Sequence, residues 1–373
     1  MSEPRVVVIG GGIAGSACAA ALAPHASVTV VERGPRGGEA SDAAAGMIAS
    51  QVEAHPGDPL LPLAIASRDR YVSLLKDLAP DALERVQYRG GGILRIALDQ
   101  PQAATLQHEV EQQRAMGLAA EWLDGDEVRR RHPGASTAIT GALHAPRDAS
   151  LHSGELGILL REVGRDRGAT WRIAAAEMIE SAGARVTGVR VRGANGATDS
   201  IECDVVIVAA GCWSPLLGGL PRRLPIEPVR GQLLLVEAPA GWNHQVLFGP
   251  GAYVVPRGDD LAVLGSTMEK VGFDPGTTEE GLAAIRGGCA AMLPALAGAR
   301  ALHAWAGLRP VTTDALPIIG HDPDLTGLFY ATGHGRNGIL TGLATGVIIR
   351  DLVLHGETQW PIASYGVDRF ERP

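Results

Sequence analysis

Three glycines spaced Gly10-x-Gly12-x-x-Gly15 stand between a short apolar run and an alanine-rich stretch, and Glu32 follows where a second apolar run ends. Between a strand and a helix, this spacing is the fingerprint of a dinucleotide site. Gly10 permits the tight turn, Gly12 lets backbone approach a pyrophosphate, and Gly15 lets helix and strand pack closely. Phosphates are drawn to the unpaired N–H groups and positive dipole end of the helix that follows. Glu32 is placed to accept hydrogen bonds from ribose hydroxyls and to disfavour a 2′-phosphate. The rival reading is a glycine-rich turn without a ligand; strand, helix and acid together outweigh it.

Further segments share this character. Residues 40–47 form a small-residue loop, Ala-Ser-Asp-Ala-Ala-Ala-Gly-Met, with nothing that reads as packing. A second strand-to-glycine turn spans residues 204–214 and ends in Gly211, Cys212, Trp213 and Ser214. A third, Ala331-Thr332-Gly333-His334-Gly335-Arg336-Asn337-Gly338, runs from a strand into a helix. A nicotinamide enzyme does not need that third element. A flavin does, because a helix starting near Gly338 turns its positive end toward an anionic reduced ring. Among charged residues, Arg309 lies in an apolar segment between Leu308 and Pro310. An arginine there needs a strong buried partner, and a structural ion pair is the ordinary one. Arg336 can cap or brace the closing helix. Tyr253 and Met268 read on general grounds as core packing, and His334, between two glycines, is as readily a backbone spacer as a base.

The elements that must position these residues follow from hydrophobic pattern. Arg5–Ile9 reads as a buried parallel strand, 10–22 as a helix and 27–31 as a second strand. Helices are expected at 60–78, 102–116 (polar, with Glu109 and Gln113 and no evident chemistry), 155–168, 277–293 and 339–354. Further strands are expected at 89–98, 170–173, 185–191, 201–209 and 328–332. Residues 227–264 alternate like antiparallel sheet, with turns at Gly231, 249–251 and 258–260. The fold class is therefore α/β: a discontinuous Rossmann-like domain (1–86, 143–222 and 306–373) with a parallel sheet, and a second domain (87–142 and 223–305) on a large antiparallel or mixed sheet with helices.

Composition bounds the rest. The 373 residues carry a net charge of −8 and no basic run longer than Arg129-Arg130-Arg131, which leaves nucleic acid and acidic membranes without electrostatic support. Cys18, Cys203, Cys212 and Cys289 make no CxxC pair, so no metal site or disulfide framework is expected. The apolar run 6–22 has only Arg5 ahead of it and glycines within it, unlike a leader. The apolar run 338–349 meets Arg350-Asp351, short of a membrane span. A cytoplasmic, non-membrane protein is the expectation.

With those residues in view, the chain resembles, essentially end to end, the glycine oxidase group of the D-amino-acid oxidase superfamily. The resemblance is carried by GGGIAGS at the fingerprint, ASDAAAGMIAS at 40–50, PVRGQ at 228–232, YVVPR at 253–257, GSTME at 265–269, WAGLRPVTTDALPIIG at 305–320 and ATGHGRNGILTG at 331–342. It implies FAD, oxidative deamination of glycine or another small amino acid such as sarcosine or a small D-amino acid, molecular oxygen as acceptor, hydrogen peroxide as product, and supply of an imine to thiamine thiazole synthesis. It implies hydride transfer from the substrate Cα–H to flavin N5. Arg309 is then the carboxylate anchor, Tyr253 adds a hydroxyl donor, Met268 lines the pocket and Arg336 lies on the same side. Gly46 and Met47 border the isoalloxazine ring, and Gly338, Ile339 and Leu340 address its pyrimidine end. The implied cofactor contacts also take in Ile13, Ala14, Arg33, Ser41 and Ala45 near the fingerprint, Met178, Ala210, Gly211 and Trp213 mid-chain, and Gly333, Gly335 and Asn337 near the end. Two positions depart from the group: Gly335 replaces an aromatic and Gly251 a bulkier polar residue, both enlarging the pocket. No cysteine lies near Arg309, so the FAD is expected to be non-covalent. Relatives form dimers or tetramers, which implies a homo-oligomer. An FAD-dependent dehydrogenase with a quinone or protein acceptor, and an FAD-binding subunit of a larger oxidase, stay open as alternatives.

Overall fold

The computed structural model describes residues 3–34, 39–53, 55 and 57–370. Its first sheet has six strands in the order Ile318–His321, Leu328–Thr332, Val205–Val208, Arg5–Ile9, Ser27–Glu32, Thr170–Ile173. All neighbours in it are parallel except the edge pair Ile318–His321 and Leu328–Thr332. The central strand shows why its sequence is apolar throughout. Val6 and Val8 face a core shared with the helices Ile13–Leu22, Ser153–Asp166 and Gly338–His355. Val7 and Ile9 face the other way, against Ile179, Val186 and Val189 of a three-stranded antiparallel sheet. Both faces of a parallel strand are thereby covered.

The second sheet has eight strands and is antiparallel except where Val246–Gly249 pairs with Ile93–Ala97. Its longest members, Ile226–Glu237 and Ala301–Thr312, pair with Val229 opposite Arg309 and Gly231 opposite Gly307. One face packs on helix Glu279–Met292 through Leu234, Val254, Leu264, Ile285 and Cys289. The other carries Ile93, Leu233, Tyr253 and Val263 together with Leu106 and Val110 of helix Gln100–Ala115. The chain is α/β, with a mostly parallel sheet and a large, mostly antiparallel one.

Several expectations change. Gly231 is no turn; it lies inside the twelve-residue strand Ile226–Glu237, for a reason given below. The run 201–209 divides into Thr198–Glu202 and Val205–Val208, which belong to different sheets. The expected strand at 89–98 shortens to Ile93–Ala97, because Gly91 and Gly92 take φ values of 97° and 88°.

The closing helix, expected at 339–354, continues through Arg350 as Gly338–His355. Gly338–His355 runs 18 residues and, among the described residues, is the one helix long and apolar enough to cross a membrane. Arg350 and Asp351 pair with each other at 2.6 Å, and the helix ends at Gly356 in the left-handed conformation. Its composition follows from burial: Ile339, Leu343, Ala344, Ile348 and Ile349 lie in the first core. At Gly346 a Cβ would stand 2.6 Å from the Ala17 backbone, so this glycine lets the first and last helices touch.

Candidate active site

The site begins at the fingerprint. Gly10 has φ 107°, and a Cβ there would meet the Ala209 carbonyl at 2.5 Å; a Cβ on Gly15 would overlap the Gly10 carbonyl oxygen. The turn therefore admits only glycine at both positions. The Glu32 carboxylate accepts the Gly11 N–H at 2.7 Å and the Gly34 N–H at 3.0 Å. A carboxylate offers about four lone-pair sites, so two remain for a ligand. Ser41 Oγ accepts the Ile13 N–H at 3.0 Å, tying the small-residue loop to the first helix. Arg33 stacks 3.5 Å above the Trp213 ring.

These residues line a cavity of about 340 Å³ that runs from Gly10, Gly12, Glu32 and Trp213 past Ala210, Gly211 and Gly333 to Arg309, Gly335, Arg336, Gly338 and Ile339. A second cavity, of about 530 Å³, opens beyond it. Ala44, Tyr253, Arg309, Arg336 and Ile339 line both. The junction between the two cavities therefore carries two arginines and a tyrosine.

Arg309 is positioned by three motifs at once. Its guanidinium lies over Gly231, where a Cβ would overlap Nη1 and Cζ. Nη2 donates to Ser266 Oγ at 2.7 Å and Nη1 to the Thr267 carbonyl at 3.2 Å. Among the described residues no carboxylate pairs with it, which removes the structural ion pair as an explanation. The segment that supplies Ser266 and Thr267 is clamped from below. Arg230 holds both oxygens of Glu269, at 3.0 and 3.2 Å, and Asp274 at 2.7 Å. Hydrogen bonding from Arg230 holds the Glu269 carboxyl down to about 2. Gln232 Nε2 also donates to Glu269, at 2.9 Å. The Tyr253 ring is buried beside Gly265, where a Cβ would stand 2.5 Å from its hydroxyl. Burial pushes that phenol up, with Arg309 opposing.

Arg336 differs: its Nη2 lies 2.7 Å from Glu53 Oε2. Burial pushes the Glu53 carboxyl up, against the pull of Arg336 and Arg309. Residues just before Glu53 are fixed by a buried polar network. Asp148 accepts Ser50 Oγ at 2.6 Å and the Gln51 N–H at 2.9 Å, while Arg68 reaches Gln51 and Asp148. The start of the closing helix is held likewise: Ser67 Oγ donates to the Leu340 carbonyl at 2.6 Å and Tyr71 to the Ile339 carbonyl at 2.8 Å. Buried His334 bonds Thr345 Oγ1 through Nε2 at 3.0 Å, and burial lowers its pKa to about 4.

The structure brings most of the expected residues together. Gly10, Gly12, Ile13, Ala14, Glu32, Arg33, Ser41, Ala210, Gly211, Trp213, Gly333, Gly335 and Gly338 line the first cavity; Ala45, Gly46, Met47, Met268, Asn337 and Leu340 line the second. Gly15 packs beneath the turn. Met178 is not brought in: it is 38% exposed on the three-stranded sheet and lines neither cavity. Sequence reasoning missed Glu53, Gly231, Arg230 and Ser266. The last three lie within or beside PVRGQ and GSTME, so the motifs held a signal; Glu53 had none.

A glycine-turn nucleotide cleft that meets an arginine-lined pocket on a second sheet defines a dinucleotide-dependent oxidoreductase. The chain belongs to the DAO family, described as FAD dependent oxidoreductase, whose model matches residues 5–352. It is 31% identical to the glycine oxidase of Geobacillus kaustophilus, over 98% of this chain and 96% of that protein. It is 32% identical to the bifunctional protein ThiO/ThiG of a Synechocystis strain, over 98% of this chain and 54% of that longer protein. The crystal structure of the Geobacillus kaustophilus glycine oxidase superposes with a TM-score of 0.91 at 29% identity, covering all of both chains. The protein is thus an FAD-dependent oxidoreductase of the amino-acid oxidase type, similar to glycine oxidase.

Proposed function

We propose that this enzyme oxidises the carbon–nitrogen bond of glycine or another small amino acid, giving a 2-oxo acid, ammonia and hydrogen peroxide. The observation that carries this reading is Arg309: a guanidinium on the wall between both cavities, held by neutral oxygens and paired with no carboxylate among the described residues. A bidentate guanidinium fixes both the position and the rotation of a carboxylate. Tyr253 adds a hydroxyl beside it. Arg336 and Glu53 cancel one another, which leaves the junction with one net positive charge. A site of that charge favours an amino acid as carboxylate with a neutral amine, the form whose nitrogen lone pair is free.

The cleft fits FAD. Its Gly10 turn is closed to any side chain by the Ala209 carbonyl, Gly12, Ile13 and Ala14 of the helix start line the cavity, and Glu32 keeps acceptor capacity for ribose. Bound there, FAD supplies the electron acceptor. The cofactor is held without a covalent bond in this reading. Cys212 is on the cavity wall, but its thiol donates to the Leu308 carbonyl and burial pushes it up to about 12, so the reactive thiolate is scarce. Similarity to ThiO/ThiG makes imine supply to thiamine thiazole synthesis the natural physiological setting, in a cytoplasmic homo-oligomer.

The test is a peroxide-coupled screen of glycine, sarcosine and small D- and L-amino acids on the purified protein, run beside dye-linked turnover without oxygen. Peroxide in step with substrate supports an oxidase. Dye reduction with no peroxide makes it a dehydrogenase, and reduction of bound flavin by no amino acid overturns the reading.

A further inference from the structure

An amino acid in neutral water carries an ammonium, and hydride cannot leave the neighbouring carbon until nitrogen has shed a proton and freed its lone pair. A group at the junction can take that proton. Among the described residues, the second cavity is lined by one carboxylate, Glu53, and by no histidine, cysteine or lysine. Its arginines, Arg95, Arg309 and Arg336, already hold their protons. Burial pushes the Tyr253 phenol up, so it keeps its own proton as well. His334 lines the first cavity, where its Nε2 lies on Thr345 Oγ1. Glu53 is the base that is left, and its surroundings suit it to the task. Arg336, at 2.7 Å, is its one partner among the described residues. A carboxylate offers about four lone-pair sites, so acceptor capacity remains. The charged and titratable groups around it are Arg336 beside the start of the closing helix, Arg309 on strand Ala301–Thr312, Asp148 and Tyr253. Both arginines pull the Glu53 carboxyl down, burial and Asp148 push it up, and burial prevails. Such a carboxylate binds a proton more firmly than an exposed one. Its place is kept by the hydrogen bonds that Asp148 accepts from Ser50 and Gln51, just ahead of it.

We propose that Glu53 is the proton acceptor of the reaction, taking one proton from the ammonium of a substrate whose carboxylate is on Arg309. This rests on amino-acid oxidation with Arg309 as the anchor. The N–H bond breaks and leaves its electron pair on nitrogen, and the proton forms an O–H bond on Glu53. The Cα–H then departs as hydride, with both electrons, to bound FAD, while the nitrogen lone pair closes the C=N bond. Glu53 returns its proton to water once the product has left.

The experiment is anaerobic stopped-flow reduction of the bound flavin by saturating glycine, sarcosine and D-alanine, from pH 6 to pH 10, in wild type, Glu53→Gln and Glu53→Asp. Positioned acid–base groups contribute about 10²–10⁴-fold, so at pH 7 the limiting rate of Glu53→Gln should fall at least about tenfold. At pH 10 it should come within about threefold of wild type, because the amine then loses its proton to solvent. Glu53→Asp keeps a carboxylate and should lie between the two at pH 7. A Glu53→Gln rate lowered by the same factor at every pH makes Glu53 a brace for Arg336 and overturns the inference, while leaving amino-acid oxidation intact. A Glu53→Gln rate equal to wild type at pH 7 does the same. Reduction of wild-type flavin by none of the three amino acids overturns both.

Discussion

The Arg309 guanidinium occupies the space that a side chain at Gly231 would fill. Strand Ile226–Glu237 is bare at that one position, and the charged group of the neighbouring strand lies across it. Gly231→Ala should therefore leave the fold and FAD content near wild type, since alanine is tolerated within a strand, yet displace the guanidinium. The expected result is a rise in KM of about tenfold or more, with acetate and glycolate weakened in parallel. Carboxylate titration of the flavin spectrum reads this directly. Unchanged titration would mean the guanidinium is not needed where it lies.

Glu53 balances Arg336, and its removal should make the junction more positive. Glu53→Gln keeps the shape and removes the charge. Simple carboxylates should then bind about three- to tenfold tighter, and more strongly so at low salt, because screening weakens interactions between charges that solvent reaches. Flavin reduction should slow, as Arg336 loses the partner that holds it at 2.7 Å. Carboxylate affinity that stays flat across this substitution would place Glu53 outside the field of Arg309.

What could be read from sequence divides by the range of the interaction. Strand Arg5–Ile9, the Gly10 turn and Glu32 were legible because their constraints are local: an apolar run, a glycine that must take positive φ, an acid at a strand end. The start of the closing helix at Gly338 was legible for the same reason. Gly231 misled because glycine in a strand-like run usually punctuates it, and here its lack of a side chain serves a residue 78 positions later. Glu53 was invisible. Its partner is Arg336, and the Asp148 network that fixes its segment bridges 97 and 98 residues to Gln51 and Ser50. Strand Ala301–Thr312 has no alternation to mark it, since Gly307, Arg309 and Pro310 interrupt it; only its likeness to a known motif drew attention there.

His334 should be a neutral structural residue across the working range. Its folded pKa of about 4 lies below the ordinary 6.5, so the unfolded chain takes up a proton first as pH falls. Stability from this burial is full above pH 6.5 and is lost as pH drops toward 4, by about 3 kcal/mol at roughly 1.4 kcal/mol per pKa unit. His132 and His152, also lowered to about 4 by burial, act in the same direction. Denaturant unfolding at pH 7 and pH 4.5 should show a difference that shrinks in His334→Gln. Activity should rise with pH through ionisation of the bound amine, with no histidine limb near 6.5. A His334→Ala protein that binds substrate yet cannot reduce its flavin would make His334 catalytic instead.

The cofactor turn admits a sharper test than loss of activity. A Cβ on Gly15 would overlap the Gly10 carbonyl oxygen, and one on Gly10 would press on Ala209. Gly15→Val should separate the first helix from its strand and yield colourless or poorly folded protein. Gly12→Val, at the start of the same helix, should give protein that folds but retains little FAD, because its side chain takes the place of the pyrophosphate. Full flavin content in purified Gly12→Val protein would remove the fingerprint from the cofactor site.

Arg309 should dominate substrate anchoring. It faces the junction with two neutral oxygen partners, Ser266 Oγ and the Thr267 carbonyl, which orient the fork without neutralising it. Removing one partner of a desolvated charge pair costs roughly 3–5 kcal/mol, or about two to four orders of magnitude in kcat/KM. Lysine carries the charge but not the planar fork, so Arg309→Lys should recover little. FAD content should be retained in both variants, because no fingerprint residue depends on this side chain. Competitive carboxylates should weaken as the substrate does, since both use the same contact. Stopped-flow flavin reduction and carboxylate titration of Arg309→Ala and Arg309→Lys measure the two effects separately. If both variants bind and react within a factor of a few of wild type, the anchor is Arg336 released from Glu53, and Glu53→Gln should then strengthen substrate binding more than any other change at the junction.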